Sequence, residues 1–353
     1  MFTVGIIGAG SIAAKHIEAY KSDKNCYLKS IADINEEQLK NRVSKYQIEN
    51  AYTDYHEILA DDEIDAVDIV TPTFTHKDII IEALKSGKHV ICEKPPTRNA
   101  KEAIECKEAA EKYGKVLMYT FVFRFSAEMQ YLKEYAEAGK FGDFVCAEAT
   151  RLTRCASPGG WMLDKAKAGG SLLDGTIHEI DSALYIMGYP KVKSVTGFSS
   201  DVNQDLPEKM RGLWAGYKTT DKTPTKRTVD SVTGGYVIFE NGSLLNIKSG
   251  SILNVIEVAT SVELIGSKAG AKLNWRLPDD KIKILEITDN YYFSETVPKL
   301  ATIAGVPAEI AHFIDCCTNG TECICKLDES VALMEIIDAI YKSAETGKTI
   351  YFD

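Results

Sequence analysis

Six residues near the N-terminus, Gly8-Ala9-Gly10-Ser11-Ile12-Ala13, form a GxGxxA pattern between an apolar run and a helical stripe. In that setting Gly8 permits a tight turn, Gly10 lets backbone amides approach an anion, and Ala13 is small enough for a helix to pack closely on a strand. The helix then begins at Ser11 and Ile12, and its leading amides face a phosphate. Asp33 ends the next apolar run, about 20 residues on, where a carboxylate can accept both hydroxyls of an adenine ribose. Ile34 and Asn35 after it offer no cation for a 2′-phosphate, so the pattern predicts NAD in preference to NADP.

Glu93-Lys94-Pro95 closes a later apolar run, at the place where open α/β sheets set their ligand contacts. A lysine there can donate a hydrogen bond to a carbonyl or hydroxyl. Farther along, GGSLLDGTIH at 169–178 reads as the start of a helix with Asp174 and His178 one turn apart and Asp181 close to the same face. A carboxylate beside an imidazole fixes its orientation and raises its basicity, which suits a general base taking a hydroxyl proton near neutral pH. His178 with two carboxylates lacks another obvious metal ligand, and Cys316, Cys317, Cys323 and Cys325 follow no standard metal spacing. No metal is expected.

The elements that must carry these residues are legible in the periodicity. Residues 2–8, 27–33, 64–72, 89–95 and 115–123 read as strands, and 11–21, 35–46, 76–87 and 99–113 as helices. Continuous apolar strands alternating with helices predict a doubly wound parallel sheet covered on both faces. After Arg124 the texture changes: helices at 127–138 and 171–187 accompany strands at 144–152, 192–200, 229–239, 243–249 and 258–265. A helix near 328–345 and a last short strand close the chain. The predicted fold is therefore α/β, with a Rossmann dinucleotide-binding domain over 1–123 and an α+β domain with a mostly antiparallel sheet over 124–353. The polar stretch 203–228 reads as a functional loop or an oligomer contact.

Composition removes other classes. A chain of 353 residues with 45% hydrophobic and 26% charged residues is globular rather than disordered. Its net charge of −10, with no segregated basic patch, speaks against nucleic acid. No stretch reaches the roughly 18 apolar residues of a membrane helix, and nothing reads as a secretory signal, so a cytoplasmic address is expected. Nine scattered cysteines without a CxxC pair argue against a disulfide framework.

The order and spacing of these landmarks resemble the family of glucose-fructose oxidoreductase, inositol 2-dehydrogenase and rhizopine catabolism proteins (Gfo/Idh/MocA), over essentially the whole chain. The matching residues are Gly8 to Ala13, Thr71-Pro72 with His76, Gly87-Lys88-His89-Val90 leading into Glu93-Lys94-Pro95, Arg124-Phe125, and Gly169-Gly170 through Asp174 and His178. The resemblance implies a C-terminal domain built on a large open sheet, homodimers or homotetramers that pair those sheets, and hydride transfer between a nicotinamide and a sugar, inositol or related polyol. It also implies roles. Lys94 would hydrogen-bond the reacting oxygen and the nicotinamide ribose, His178 would exchange the proton, and Asp174 would support them. Thr71, His76 and Glu93 would lie at the cofactor, while Arg124, Arg154, Trp161 and Lys165 would face substrate. Ser171, Thr176 and Val122 depart from the usual pattern, the last at a polar contact near the nicotinamide. Two alternatives share the fold: a redox-neutral glycosidase or lyase that retains its NAD, and a non-catalytic NAD-binding sensor, which would be expected to lack the Lys or His present here.

Overall fold

The apolar runs of the first third become strands buried on both faces, as their continuous hydrophobicity demands. The computed structural model describes residues 1–154, 160–201, 227–287, 293–301 and 305–353, and the stretch 203–228 lies, apart from its last two residues, outside the described residues. The chain divides into two compact units, Met1–Phe125 with Ala304–Met334, and Ser126–Ile303 with Glu335–Asp353.

The first unit opens with β1 (Phe2–Ile7), α1 (Ala13–Ser22), β2 (Cys26–Ala32), α2 (Glu36–Tyr46) and β3 (Asn50–Tyr52). It continues through α3 (His56–Leu59), β4 (Ala66–Ile69), α4 (His76–Lys85), β5 (His89–Cys92), α5 (Ala100–Tyr113) and β6 (Leu117–Tyr119). All six strands are parallel, in the order β3-β2-β1-β4-β5-β6. This Rossmann order reverses between β1 and β4, so the turn after β1 opens on the crevice at the carboxyl ends of the strands. Polar side chains fix where helices start: Asn35 caps α2 by accepting from the Glu37 and Gln38 amides, and Asn99 caps α5 through the Glu102 amide.

The second unit contains α6 (Ala127–Glu137), β7 (Phe144–Leu152), α7 (Lys165–Ala168), α8 (Ile177–Met187) and β8 (Val192–Ser200). β9 (Val232–Phe239), β10 (Leu244–Gly250), β11 (Ala259–Gly266), β12 (Ala269–Asn274), β13 (Ile282–Ile287) and β14 (Phe293–Thr296) follow. After α9 (Gly305–Asn319) and α10 (Leu327–Thr346) the chain ends in β15 (Ile350–Tyr351). The sheet runs β14-β13-β12-β11-β7-β10-β9-β8-β15. Within it β7 and β10 are parallel and the other neighbours antiparallel. Alternation decides its faces: on β9 Val237 and Phe239 are fully buried, while Tyr236 and Ile238 are 51% and 42% exposed. α8 packs against β7 and β11.

The division at residue 123 puts everything after it in one domain, whereas α9 packs with the first unit. Ile310, Phe313 and Ile314 are buried along one face of α9, which packs on α1, and Phe313 meets the Phe2 ring edge-on at 6.4 Å. An apolar face of that width needs a covering partner, and the Rossmann sheet and its first helix supply one. Among the described residues no helix is long and apolar enough to cross a membrane.

Candidate active site

β1 ends at Ile7 and the chain turns at Gly8 with φ 112°, a conformation that favours glycine. A Cβ there would stand 2.7 Å from the Val70 carbonyl oxygen, just after β4, so the neighbouring strand dictates the residue type. Gly10 has open space where a side chain would be, which leaves its backbone approachable. α1 then starts with no side-chain cap at Ile12 and no acid in its first turn, so its leading amides are available to an anion. Ser11 is exposed and Ile12 half-buried beside them. Asp33, just past β2, accepts from the Ala9 amide at 2.6 Å and the Asn35 amide at 2.7 Å. A carboxylate has about four acceptor sites, so this one braces the turn and keeps capacity for ribose hydroxyls. Arg42 of α2 completes the turn: Nε donates to the Ala9 carbonyl at 3.1 Å and Nη2 to the Gly10 carbonyl at 2.8 Å. An uncapped helix start, an unobstructed glycine and a carboxylate after the second strand fit a dinucleotide.

A buried charge cluster underlies the carboxyl end of β5. His16, fully buried on α1, places Nδ1 2.8 Å from Asp68 Oδ2 and Nε2 3.2 Å from Glu93 Oε1. Burial alone would push its pKa down, but the Asp68 and Glu93 carboxylates outweigh it and hold the imidazole well above its ordinary value, so both ring nitrogens donate. Burial likewise pushes Glu93 up, and there the hydrogen bond and charge of His16 prevail, keeping the carboxyl below its usual range. Glu309 of α9 is 1% exposed, and burial and the Glu93 charge push it well above the carboxylate range. Glu93 then fixes the chain beside it, because the Lys94 amide donates to Glu93 Oε2 at 2.9 Å and to Thr120 Oγ1 at 3.1 Å. The Lys94 side chain is half-buried and the Lys94–Pro95 peptide is cis.

In the second unit the acid and the imidazole are reached through glycines that only glycine can fill. At Gly170, φ 110°, a Cβ would stand 2.1 Å from the Tyr341 hydroxyl and 2.7 Å from Asp230 Oδ1. Leu172–Thr176 then form a π-helical turn that runs into α8, so the helix expected over 171–187 is present with a widened start of the kind frequent at functional sites. Asp174 sits in that turn and His178 in the first turn of α8, both half-buried. A polar network stands behind them. The Ser171 hydroxyl donates to Asp230, Tyr341 donates to Asp230 Oδ1 at 3.1 Å, Ser249 donates to Ser171 Oγ at 3.3 Å, and Thr176 donates to Ser249 Oγ at 2.6 Å.

Family profiles decide what this arrangement is. One described as an oxidoreductase family with an NAD-binding Rossmann fold matches residues 2–121, and one for the C-terminal α/β domain of that family matches 133–352. The chain belongs to the Gfo/Idh/MocA oxidoreductase family. Within it, D-glucoside 3-dehydrogenase of Escherichia coli is 29% identical over 360 residues, covering 98% of this chain and 96% of the relative. Myo-inositol 2-dehydrogenase of Thermotoga maritima is 36% identical over 186 residues, 52% of this chain and 54% of the relative. Levoglucosan dehydrogenase in complex with NADH has the same fold, with a TM-score of 0.85 at 23% identity over 100% of this chain and 99% of that one. The protein is a dinucleotide-dependent oxidoreductase.

For a Gfo/Idh/MocA member the placement of the remaining residues is informative. Gly8, Gly10, Ser11, Ile12 and Asp33 gather at one turn, and Thr71, Glu93 and Lys94 lie after β4 and β5. His76, expected at the cofactor, is 1% exposed, with Nε2 2.9 Å from the Thr71 carbonyl and Nδ1 2.9 Å from the Pro95 carbonyl. It therefore clamps two loops from beneath. Arg124, expected to face substrate, is fully buried and donates from Nη1 to the Ile324 carbonyl at 2.7 Å and to the Glu329 carboxylate, which makes it a strut. Arg154 is exposed and braces the Val255 and Ile256 carbonyls. Trp161 is half-buried, and Lys165 lies 4.0 Å from Asp230 and 4.5 Å from the Tyr341 ring centre. Ser171 and Thr176, the departures from the family pattern, supply hydroxyls to the network behind the π turn. Sequence reasoning missed Arg42, His16, Asp68 and Glu309; the available signals were a histidine inside the apolar stripe of α1 and an aspartate inside the run Ala66–Ile69.

Proposed function

We propose that this protein oxidises a hydroxyl of a sugar or polyol, of the glucoside class, with NAD, and that Lys94, His178 and Asp174 carry the chemistry. The observation that carries the reading is Lys94 itself: its main chain is held by Glu93 and Thr120 at the carboxyl end of β5, in the same sheet whose β1 turn fits a dinucleotide. The bound nicotinamide supplies the hydride acceptor. The Lys94 ammonium donates to the reacting oxygen and stabilises the negative charge that grows there as the proton leaves. The neutral His178 imidazole accepts that proton, and Asp174 orients the ring and stabilises its charged form. The E. coli relative, matched over 98% of this chain, supports glucosides as the first substrates to try.

A panel of sugars, inositols, sugar acids and glucosides, followed through the absorbance of reduced nicotinamide, tests the reaction. Substrate-dependent NADH formation supports it. Glycoside cleavage on retained NAD without free NADH, or bound NAD with silence over the panel, would replace it with the redox-neutral enzyme or the sensor. Asp33 and the absence of a cation at Ile34 and Asn35 support NAD, since a 2′-phosphate would meet the carboxylate. NAD is expected to bind more tightly than NADP by about tenfold or more, a gap of about 1.4 kcal/mol; calorimetric titration giving equal affinities would remove the preference.

We also propose that copies of the chain pair through the open sheet. Phe198, Tyr236, Ile238, Ile265, Leu285 and Ile287 are each 42–54% exposed, and the strand registers put them on one face. Exposed apolar area of this extent supports an interface. Sedimentation equilibrium should return a dimer or tetramer that Tyr236→Glu with Ile238→Glu converts to smaller species, whereas a monomeric wild-type chain at micromolar concentration would count against pairing.

A further inference from the structure

Among the described residues, one group of soft metal-binding side chains lies on α9 and the loop after it. His312 and Cys316 are one turn apart on α9, Cys323 comes back from the loop, and their ligand atoms all lie within 4.8 Å of one another. Cys316 Sγ is 3.4 Å from His312 Nε2. Around a tetrahedral zinc with bonds of about 2.3 Å to sulfur and about 2.0 Å to nitrogen, a sulfur and a nitrogen ligand stand about 3.5 Å apart. The Cys316–His312 pair is thus spaced as one edge of such a tetrahedron requires, with Cys323 within reach of both.

We propose that His312, Cys316 and Cys323 form a site for a zinc-class divalent cation, with water as the fourth ligand. The imidazole is in the right form. The Ile324 amide donates to His312 Nε2 at 3.1 Å, so the lone pair is on Nε2 and the proton on Nδ1, and a cation at Nε2 takes that lone pair in place of the amide. Cys316 is 5% exposed whereas His312 and Cys323 are half-buried, which leaves a side open to solvent for a water ligand. Two thiolates and an imidazole select zinc over magnesium or calcium, which take oxygen ligands.

Through Cys323 the ion ties the loop to α9 in place of the hydrogen bond from the Ile324 amide to His312. The Ile324 carbonyl is the acceptor that holds the buried guanidinium of Arg124 at 2.7 Å, so the site steadies that strut. Binding to thiolates releases the thiol protons, and affinity falls as the pH is lowered.

The test uses the full chain, reduced, freed of metal with a chelator, and titrated with cobalt(II) alone. One equivalent should bring up thiolate-to-cobalt charge transfer together with the intense visible bands of tetrahedral cobalt, and zinc should abolish both. Cys323→Ser, on the loop, and His312→Gln should each weaken cobalt binding by about tenfold or more, while the metal-free melting temperature of Cys323→Ser stays close to that of wild type. Zinc should raise the melting temperature of wild type and leave that of Cys323→Ser unchanged. Octahedral cobalt spectra, unchanged binding in either variant, or a Cys316–Cys323 disulfide in metal-free protein isolated without reductant would each overturn the proposal.

Discussion

Lys94→Ala is expected to lower kcat/KM by about 10²–10³-fold, or about 3–4 kcal/mol of transition-state stabilisation, while leaving NAD binding nearly unchanged. The size follows from what the proposed mechanism assigns to Lys94, a positively charged donor to an oxygen that gains charge as its proton leaves. The selectivity follows from how the backbone is held. The Lys94 amide is anchored by Glu93 Oε2 and Thr120 Oγ1, and Glu93 by His16, so truncating the side chain leaves the strand end and the turn after β1 in place. Lys94→Arg should not restore the rate, because a planar fork cannot replace a compact ammonium at one oxygen. Steady-state kinetics beside a calorimetric NAD titration separates the outcomes. Turnover within a few fold of wild type would remove Lys94 from the chemistry, and loss of NAD affinity with unaltered kcat would make it a cofactor contact instead.

How much of this was legible in the sequence depended on how local the constraint was. The turn at Gly8 was legible because the demand for glycine is set by one neighbour, the Val70 carbonyl, and by a helix that must start at once. The alternation of apolar strands and helices gave the six-stranded sheet, though β3 and α3 are too short and polar to show a period. Long-range burial was not legible. His16, Asp68, Glu93 and Glu309 come from α1, β4, the end of β5 and α9, and no spacing in the chain announces that they meet. For Arg124 the resemblance implied a substrate contact, and its bonds to Ile324 and Glu329, some two hundred residues on, follow from no local spacing either. His312 escaped notice because a search over cysteine spacing alone does not include a histidine one helical turn earlier.

His178→Asn is expected to lower kcat for alcohol oxidation by about 10²–10⁴-fold and to change the shape of the pH profile. Asparagine approximates the imidazole in size and cannot accept a proton, so the variant tests the base rather than the packing. α8 should survive the change, since Ile177, Ile180, Ala183 and Leu184 bury its inner face and His178 is only half-buried. On the proposed mechanism the wild-type oxidation rate is expected to rise with pH along an acidic limb, and in the variant that limb should disappear and leave a shallow dependence on hydroxide. Asp174→Asn is expected, on the proposed mechanism, to move the acidic limb to lower pH at a reduced plateau rate, because a carboxylate beside an imidazole favours its charged form. The two variants together discriminate between roles: a limb lost in His178→Asn and displaced in Asp174→Asn identifies base and orienting acid. A wild-type profile in His178→Asn would instead put the proton on another group and leave the π turn as a purely structural start to α8.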